Sequence, residues 1–459
     1  MAEEIIVTHG CTHLFGTVRV SGAKNSALKL IAAALLGQGK SVLHNVPNIS
    51  DIDIMIEVLE SLGASVERTG HTIAIDTANA TGFETPYELV SKMRASISIL
   101  GPLIGRFGKA RVAMPGGCKI GARKIDMHLS VLEALGVNFV NDHGYLYASS
   151  PNGLHAAKVF LDFPSVGATE NMLMASVATE GTTVIDNAAR EPEIVDLANM
   201  LNEMGACVQG AGTSTIVVHG VALSDMHPCE HWVVGDRIEA GTYLTAGALL
   251  GGPITVEGID PEFLRTVLMK FEEMGANILT TEDSITVSRT EPLRPTDIQT
   301  LPHPGFPTDM QAQFSVLAAF ADGCSVVSEN IFENRFMFAA ELNRMGSDIR
   351  LDGHHALIHG VSGLQGAPVS SPDLRGGAAL VIAGLAAEGE TRIYDIHHID
   401  RGYEDYVGKL RSLGAHIERR VHSDRGIVAE NTPNGFPQFS QNMSEYSESP
   451  VGGIKIAHI

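Results

Sequence analysis

One phrase recurs six times along the chain: an amphipathic helical stretch, then Leu or Met, a glycine, a small residue and a short apolar strand. The first copy runs from Leu59 to Val66. Leu59 and Leu62 are one helical turn apart and share a buried face, and Gly63 occupies the position where a helix end favours a left-handed residue. The repeated glycines are spaced by 68 to 73 residues, at positions 63, 136, 205, 275, 346 and 414. The chain is therefore predicted to contain six similar units.

Each unit also contains a helix that is rich in Ala and Gly and apolar on most sides, which predicts that it is buried inside a domain. The starts of these helices are nevertheless polar or charged, and lie near Lys24, Lys92, Ser165, Asp236, Thr308 and Asp373. Helix N-termini carry free N–H groups and a positive dipole end, so they bind anions. Six such ends at equivalent positions favour one shared cleft.

The order of elements in a unit is predicted as strand, inner helix, strand, outer helix and strands. A chain of 459 residues is too long for one ordinary core and suits two domains of three units, with the midpoint near residues 232–236. The segment 431–459 breaks the period and is rich in Ser, Asn, Pro and Gly. It is predicted to be an appended tail.

Composition narrows the classes of partner. The net charge of −21 argues against nucleic acid or an anionic membrane, although a local basic cluster can still bind a small anion. The five cysteines include no C-x-x-C pair, which argues against a disulfide framework or a zinc site. The acidic start lacks a signal peptide pattern, and the apolar stretch 27–36 is too short to span a bilayer. We expect a cytoplasmic protein that uses no metal.

Cys118 lies in a stretch that begins Pro115-Gly-Gly, which predicts an exposed loop with backbone freedom. Lys119 and Arg123 are close in sequence and favour the thiolate form of the cysteine. Such a thiol is suited to donating a proton or to acting as a nucleophile. The alternative is an inert free cysteine, because most free cysteines behave as small buried hydrophobes.

Four further residues have both a catalytic and a plain interpretation. Lys24 stands at a helix start, where an acid is usual, and is either functional or a surface lysine. Arg94 and Arg401 suit phosphate and carboxylate recognition, or form structural salt bridges. Asp309 is either a general base or an ordinary first-turn aspartate that stabilises its helix.

Eight motifs resemble the enolpyruvyl transferase family, in particular its members that act on UDP-N-acetylglucosamine. They stand in the family's order across roughly residues 5–420 and are specific only together. These motifs are Lys24-Asn25-x-x-Leu28, Met93-Arg94-Ala-Ser, Pro-Gly-Gly-Cys118-x-Ile-Gly-x-Arg123, Ser165-Val-Gly-Ala-Thr169, Arg190-Glu-Pro-Glu193, Pro307-Thr-Asp309-Met-Gln, Phe332-Glu-Asn-Arg335 and Ile399-Asp-Arg401-Gly-Tyr.

The resemblance implies a fold of two inside-out α/β domains, each made of three repeated βαβαββ units. It places residues 1–22 together with 234–430 in a second domain that contributes Asp309 and Arg401. Residues 23–233 form the first domain, which contributes the Cys118 loop, and 431–459 remain the tail.

The resemblance also implies a reaction: the enolpyruvyl group of phosphoenolpyruvate moves to the 3′-hydroxyl of UDP-N-acetylglucosamine, an early step of peptidoglycan synthesis, with no cofactor. Catalysis is assigned to Cys118, Asp309, Lys24 and Arg401. Phosphoenolpyruvate would be bound by Lys24, Asn25, Arg94, Arg123 and Arg401. The UDP-sugar would be bound by Asn25, Arg94, Arg123, Lys124, Ile125, Asp126, Met127, Ser165, Val166, Gly167, Asp309 and Ile331. Lys124 departs from the family, which commonly has proline there.

Two alternatives remain open. One is the related transferase that enolpyruvylates phosphorylated shikimate, which shares the fold and the donor but lacks the Pro-Gly-Gly-Cys loop. The other is a catalytically silent relative that binds a UDP-sugar, which the presence of Lys24, Cys118, Asp309 and Arg401 disfavours.

Overall fold

The computed structural model describes residues 3–11, 13–90, 94–114, 120–121, 125–423 and 426–427. Cys118, Arg123 and Lys124 lie outside this part of the chain, as does the predicted tail 431–459. Within it, no helix is long and apolar enough to cross a membrane.

The strands are β1 (Glu3–His9), β2 (Gly16–Arg19), β3 (Lys40–His44), β4 (Ser65–Thr69), β5 (Thr72–Asp76), β6 (Lys109–Ala113), β7 (Asn138–Asp142), β8 (Tyr145–Ser149), β9 (Lys158–Phe160), β10 (Gly181–Asp186), β11 (Cys207–Gln209), β12 (Thr215–Gly220), β13 (Glu230–Trp232), β14 (Ile254–Glu257), β15 (Asn277–Thr280), β16 (Ser284–Ser288), β17 (Ile298–Gln299), β18 (Cys324–Ser328), β19 (Asp348–Asp352), β20 (His355–His359), β21 (Pro368–Ser370), β22 (Glu390–Tyr394), β23 (Ile417–Ser423) and β24 (Gly426–Ile427).

The α-helices are α1 (Lys24–Ala33), α2 (Ser50–Ser61), α3 (Tyr87–Val90), α4 (Leu100–Phe107), α5 (Asp126–Ala134), α6 (Val166–Ser176), α7 (Pro192–Glu203), α8 (Arg237–Leu250), α9 (Arg265–Glu273), α10 (Gln311–Ala319), α11 (Met337–Arg344), α12 (Leu374–Ala386), α13 (His397–Asp400) and α14 (Tyr406–Ser412). Short 3-10 helices include Arg94–Ile99 before α4 and Thr308–Met310 before α10.

The repeated unit is complete in two stretches of the chain. In one, β9, α6, β10, α7, β11 and β12 follow in sequence, and the sheet order is β9-β10-β12-β11. β9 and β10 are parallel, whereas the other neighbours are antiparallel. The second stretch gives the sheet β17-β18-β20-β19 with the same directions. The predicted βαβαββ order is therefore confirmed.

Three other units take one strand from a distant part of the chain. β2 pairs in parallel with β14, β13 pairs in parallel with β3, and β1 lies between β22 and β23. In the remaining sheet, β6-β8-β7, a single bridge between Glu84 and Arg111 stands where the first strand would be.

Two apolar cores follow from this exchange of strands. One contains buried residues between Ala27 and Val233. The other contains residues from Ile6 to Val20 together with those from Ile238 to Ile417. We propose domain boundaries on this basis, with 23–233 in the first domain and 1–22 plus 234–430 in the second.

The inner helices are buried on most or all sides, as their composition predicts. In the first domain α4 packs on α6, and in the second α12 contacts both α8 and α10. Aspartate or serine side chains cap three of the starts: Ser165 caps α6, Asp236 caps α8 and Asp373 caps α12. Each cap satisfies backbone N–H groups that would otherwise be left unpaired inside the molecule.

The six repeated glycines share one backbone conformation. Their φ angles all lie between +94° (Gly414) and +100° (Gly346), just after an outer helix. This confirms the left-handed residue expected at each helix end. Residues with a Cβ pay for this conformation, whereas glycine does not.

We expect Gly346→Ala to lower the free energy of unfolding by about 1 kcal/mol, because its φ is positive while its Cβ would meet no atom within 4 Å. The cost would therefore come from the backbone alone. Gly363→Ala is the matched control: it too has open space, but its φ is not left-handed. Urea unfolding of both variants and the parent measures the difference; equal stabilities of the two variants would contradict the assignment.

Candidate active site

Lys24 is the first residue of α1, and its side chain meets charges from both domains. Its Nζ lies 2.8 Å from Oδ2 of Asp51, in the first turn of α2. The other carboxylate oxygen of Asp51 lies 2.9 Å from Nε of Arg401. Arg401 belongs to the part of the chain that forms the second apolar core. The Asp51 side chain is 2% exposed, so this carboxylate is held between two cations away from water.

Burial and neighbouring charge act in opposite directions on these groups. Burial lowers the pKa of Lys24, as do the nearby Arg375 and Arg401, and Asp51 only partly offsets this. Burial raises the pKa of Asp51, but Lys24 and Arg401 outweigh it and hold the pKa below its usual value. The surface-lysine interpretation of Lys24 is therefore wrong, because its side chain is only 11% exposed. The salt-bridge interpretation of Arg401 is correct, since its guanidinium pairs with Asp51.

A second carboxylate, Asp309, lies in the 3-10 turn before α10. Its Oδ1 accepts a hydrogen bond from Arg335 at 2.8 Å, and its Oδ2 lies 3.1 Å from Nη2 of Arg375. Burial alone would raise the pKa of Asp309, but Arg375, Arg335 and the nearby Arg237 hold it far below its usual range. Asp309 lies in the first turn, as the plain interpretation has it, but its side chain makes no capping hydrogen bond and pairs with two arginines instead.

Arg375 connects the two carboxylate clusters. It is 3% exposed in the first turn of α12, binds Asp309, and is close enough to lower the pKa of Lys24. Its Nη1 has no hydrogen-bond partner among the described residues. A buried guanidinium N–H without an acceptor is costly, and an anionic ligand would supply one.

The starts of four inner helices therefore meet in one region. Lys24 N, at the start of α1, donates to Asp236, the cap of α8, at 3.1 Å. Asp309 and Arg375 join the starts of α10 and α12. The predicted convergence is confirmed for these four helices.

The start of α6 meets a different neighbour. A Cβ at Gly167 would lie 2.5 Å from Cε1 of His128 in α5, so only glycine allows this close approach. Nδ1 of His128 lies 2.8 Å from Nδ2 of Asn171. The residues of α5 and α6 that are predicted to bind the UDP-sugar thus belong to adjoining helix starts. They are Ile125–Met127 and Ser165–Gly167.

The segment around the Cys118 loop reaches the second domain. Asn334 N donates to the carbonyl of Ile120 at 3.0 Å, and a Cβ at Gly121 would lie 2.2 Å from the carboxylate of Glu333. Cys118, Arg123 and Lys124 themselves are outside the described residues, and of Arg94 only the backbone, in the turn Arg94–Ile99, is described. The backbone N–H of Ile331 donates to Glu329 at 2.9 Å.

Asp51, Arg335 and Arg375 were not assigned roles from the sequence. A signal for Asp51 existed: with Met55 and Val58 it forms the i, i+4, i+7 stripe of α2 that is buried, whereas Asp53 is not on that stripe. A carboxylate on an apolar stripe needs a buried cation. Arg375 likewise stands out as a cation in an otherwise apolar helix.

We expect Asp51→Asn to lower the free energy of unfolding by about 3 kcal/mol at pH 7, because it leaves Lys24 and Arg401 without their shared counter-ion. The folded pKa of Asp51 is depressed, so its stabilisation is present above the unfolded pKa of about 4 and is lost as pH falls through the folded value. The difference from the parent should therefore shrink below about pH 4.

The matched control is Asp53→Asn, two residues along the same helix, whose carboxylate is 63% exposed and pairs with Arg68. Surface pairs of this kind contribute less than about 1 kcal/mol. Denaturant unfolding at pH 7 and pH 3 measures both variants. A pH-independent loss in Asp51→Asn would contradict the assigned ion pair.

Comparison with known proteins identifies the family to which the chain belongs. The family described as EPSP synthase (3-phosphoshikimate 1-carboxyvinyltransferase) matches residues 8–410. A UDP-N-acetylglucosamine 1-carboxyvinyltransferase 1 of Symbiobacterium thermophilum is 52% identical over 91% of this chain and 95% of its own length. One from Corynebacterium jeikeium is 51% identical over 91% of this chain and 99% of its own length.

Solved structures show the same fold. The enolpyruvyl transferase NikO from Streptomyces tendae superimposes with a TM-score of 0.84 at 27% identity, covering 92% of this chain and 100% of that one. EPSP synthase from Acinetobacter baumannii gives 0.69 at 16% identity, over 91% of this chain and 99% of that one. The expected fold of two inside-out α/β domains is thereby confirmed. The chain belongs to the enolpyruvyl transferase family, and within it to the UDP-N-acetylglucosamine 1-carboxyvinyltransferases.

Proposed function

We propose that this protein transfers the enolpyruvyl group of phosphoenolpyruvate to the 3′-hydroxyl of UDP-N-acetylglucosamine and releases phosphate, in the cytoplasm, as an early step of peptidoglycan synthesis. The observation that carries the proposal is the convergence of three cations in a chain whose net charge is −21: Lys24 and Arg375 lie at inner helix starts, and Arg401 directly follows α13. A small, multiply charged anion fits such a local basic region. Relatives about half identical in sequence carry the name of this activity.

The donor site is assigned to both domains. Lys24 and Arg401 would exchange Asp51 for the phosphate and carboxylate of phosphoenolpyruvate, and Arg94 and Arg123 would add charge from the first domain. Arg375 joins this set, since it has an N–H without an acceptor. Asn25 lies beside Lys24 in the first turn of α1 and would contact the reacting groups.

The chemistry is an addition followed by an elimination. Cys118 would give its proton to the methylene carbon of phosphoenolpyruvate, which makes the neighbouring carbon electrophilic. The sugar 3′-oxygen attacks that carbon and loses its proton to Asp309, forming a new C–O bond. The Cys118 thiolate then takes a proton back from the methyl group, the C–O bond to phosphate breaks and the double bond is restored, while the proton held by Asp309 passes to the departing phosphate. No cofactor or metal takes part in this scheme.

Asp309 has to be released before it can act as a base. Arg375 and Arg335 keep its pKa far below the usual range, and such a carboxylate accepts protons poorly. An anionic donor that draws Arg375 away would raise the pKa of Asp309. Binding of phosphoenolpyruvate would therefore activate the base that deprotonates the acceptor.

The acceptor site is proposed at the adjoining starts of α5 and α6. Arg123, Lys124, Ile125, Asp126 and Met127 would surround the uracil. The N–H groups of residues 165–167 would bind the diphosphate, because N–H groups at a helix start favour anions. Ile331 would contact the sugar through its backbone carbonyl.

We expect inorganic phosphate to appear only when phosphoenolpyruvate and UDP-N-acetylglucosamine are both present. The assay omits each substrate in turn and repeats the reaction with phosphorylated shikimate as the acceptor. Phosphate with the shikimate acceptor alone would favour the related transferase. Binding of the UDP-sugar without phosphate from either acceptor would favour the silent relative.

We expect Asp309→Asn to lower kcat by about 10²–10⁴-fold, the usual contribution of general base catalysis, while UDP-N-acetylglucosamine still binds. Asp348→Asn is the control, because Asp348 is a partly exposed partner of Arg350 on β19. Phosphate release measures kcat, and calorimetry measures sugar binding. Near-parental kcat in Asp309→Asn would remove it as the base, and loss of sugar binding would reassign it to the acceptor site.

A further inference from the structure

A line of polar groups runs from the first turn of α1 to the protein surface. Ser26 donates its hydroxyl to Oδ2 of Asp196 in α7. Oδ1 of Asp196 lies 3.0 Å from Nε2 of His231 in β13. Nδ1 of His231 lies 2.8 Å from Glu203, whose side chain is 46% exposed. His231 and Asp196 are 7% and 3% exposed, so the middle of the line is buried.

The two carboxylates fix the charge of the ring. A neutral imidazole has one N–H, whereas an imidazolium has two. Each ring nitrogen of His231 faces a carboxylate oxygen, and a carboxylate at neutral pH only accepts hydrogen bonds. Both contacts are satisfied at once only by the imidazolium form. A neutral ring would turn a lone pair toward Asp196 or Glu203.

Asp196 also connects α1 to the segment that crosses between the domains. Its Oδ2 accepts from Val234 N at 3.4 Å, and the carbonyl of Val234 accepts from Ala23 N at 2.7 Å. Lys24 N then bonds Asp236, two residues further along the crossing. The position of Asp196 therefore bears on both the crossing segment and the helix start that carries Lys24.

We propose that His231 is a positioning residue: as an imidazolium it holds Asp196 in place, and Asp196 in turn fixes the crossing segment and the first turn of α1 with Lys24 and Asn25. The inference rests on the proposed function, since it assigns these two residues to the donor site. His231 itself touches no reacting atom. Charge-assisted hydrogen bonds are about twice as strong as neutral ones, so loss of the charge loosens this anchor.

The charged groups around His231 determine the direction of the pH effect. Burial lowers the pKa of His231, but Asp196 and Glu203 on α7 outweigh it, so the pKa is raised. Just before its strand, burial and Glu203 raise the pKa of the Cys229 thiol to about 12, which keeps that group uncharged. The other ionisable residues of β13 and of its neighbours β3 and α7 are Glu230, Lys40, His44 and Glu193.

The strand pairing separates His231 from its ionisable strand neighbours. His231 pairs with Leu43, while Glu230 and Trp232 flank it and point to the opposite face. His44 is 2.7 Å from Glu230 and its ring stacks on Trp232 at 5.2 Å. His44 and Glu230 thus form a second histidine–carboxylate pair close to His231, but on the outer face of the same sheet.

The test measures kcat and KM for phosphoenolpyruvate between pH 6 and pH 10 in the parent, His231→Gln, Glu203→Gln and the control His44→Gln. We expect the parent to lose kcat/KM as the pH rises through the raised pKa of His231. His231→Gln should show the loss, about fivefold, already at pH 7, with no further loss from this group. The effect should fall on KM for phosphoenolpyruvate and on kcat, and leave the affinity for uridine diphosphate unchanged.

Glu203→Gln keeps the ring but removes its surface carboxylate, so the decline should begin at lower pH than in the parent. Because Glu203 is half-exposed, this variant should fold, and it tests the proposal even if His231→Gln misfolds. His44→Gln should retain the parental profile. Parallel profiles in all four proteins, or an unshifted decline in Glu203→Gln, would overturn the proposal.

NMR titration of the His231 Cε1–H signal gives a readout that does not depend on activity. We expect a pKa above the ordinary value of about 6.5 in the parent and a lower one in Glu203→Gln. A ring that titrates below about 6.5 would overturn the anchor even in an active enzyme. Absence of phosphate release at every pH would instead overturn the proposed function.

Discussion

The chain passes between its domains twice, and the two crossing segments are bonded to each other in a space that only glycine fits. Gly22 and Gly235 form a bridge. A Cβ at Gly22 would lie 1.8 Å from the carbonyl oxygen of Asn45, and one at Gly235 would lie 2.0 Å from that of Gly258. Because α1 and α8 each begin two residues later, this close packing sets where both helices start. The position of Lys24 in the cleft depends on it.

This acidic protein maintains a basic cleft by pairing the buried cations there with carboxylates. Unpaired buried cations are costly, so each one near the helix starts is held against a carboxylate. Lys24 and Arg401 share Asp51, Arg335 and Arg375 share Asp309, and Arg237 pairs with Glu193. On the proposed function, these carboxylates stand in for the substrate's charges until it binds. Exchange of one anionic partner for another costs less than uncovering bare cations.

Periodic features of the chain could be predicted from its sequence. The six glycines, the order of elements in a unit and the starts of the inner helices all repeat, and a repeat makes each weak local signal visible six times. Lys24, Asp309 and Arg401 were singled out by their local positions, and the resemblance to a family gave them expected roles. Cys118, Arg123 and Lys124 remain predictions, since they lie outside the described residues.

Pairings between distant parts of the chain could not be predicted in the same way. Asp51 stands 350 positions before Arg401, and no local pattern indicates that they meet. The exchange of β1, β2 and β13 between units depends on where the crossings lie, which the period alone does not specify. Asp196 and His231 belong to this class too: each is an ordinary polar residue of its own helix or strand until the crossing brings them together.

One arginine gives the proposed mechanism its order of events. Arg375 contacts Asp309, lies near Lys24, and has an N–H free of described partners. On the proposed function, an anion that arrives beside Lys24 would give that N–H an acceptor and would draw the guanidinium from Asp309 toward the donor site. The pKa of Asp309 would then rise, and the carboxylate would become a better base for the acceptor hydroxyl. Since the same charge would stabilise the departing phosphate, one side chain would couple donor binding, base activation and leaving-group departure.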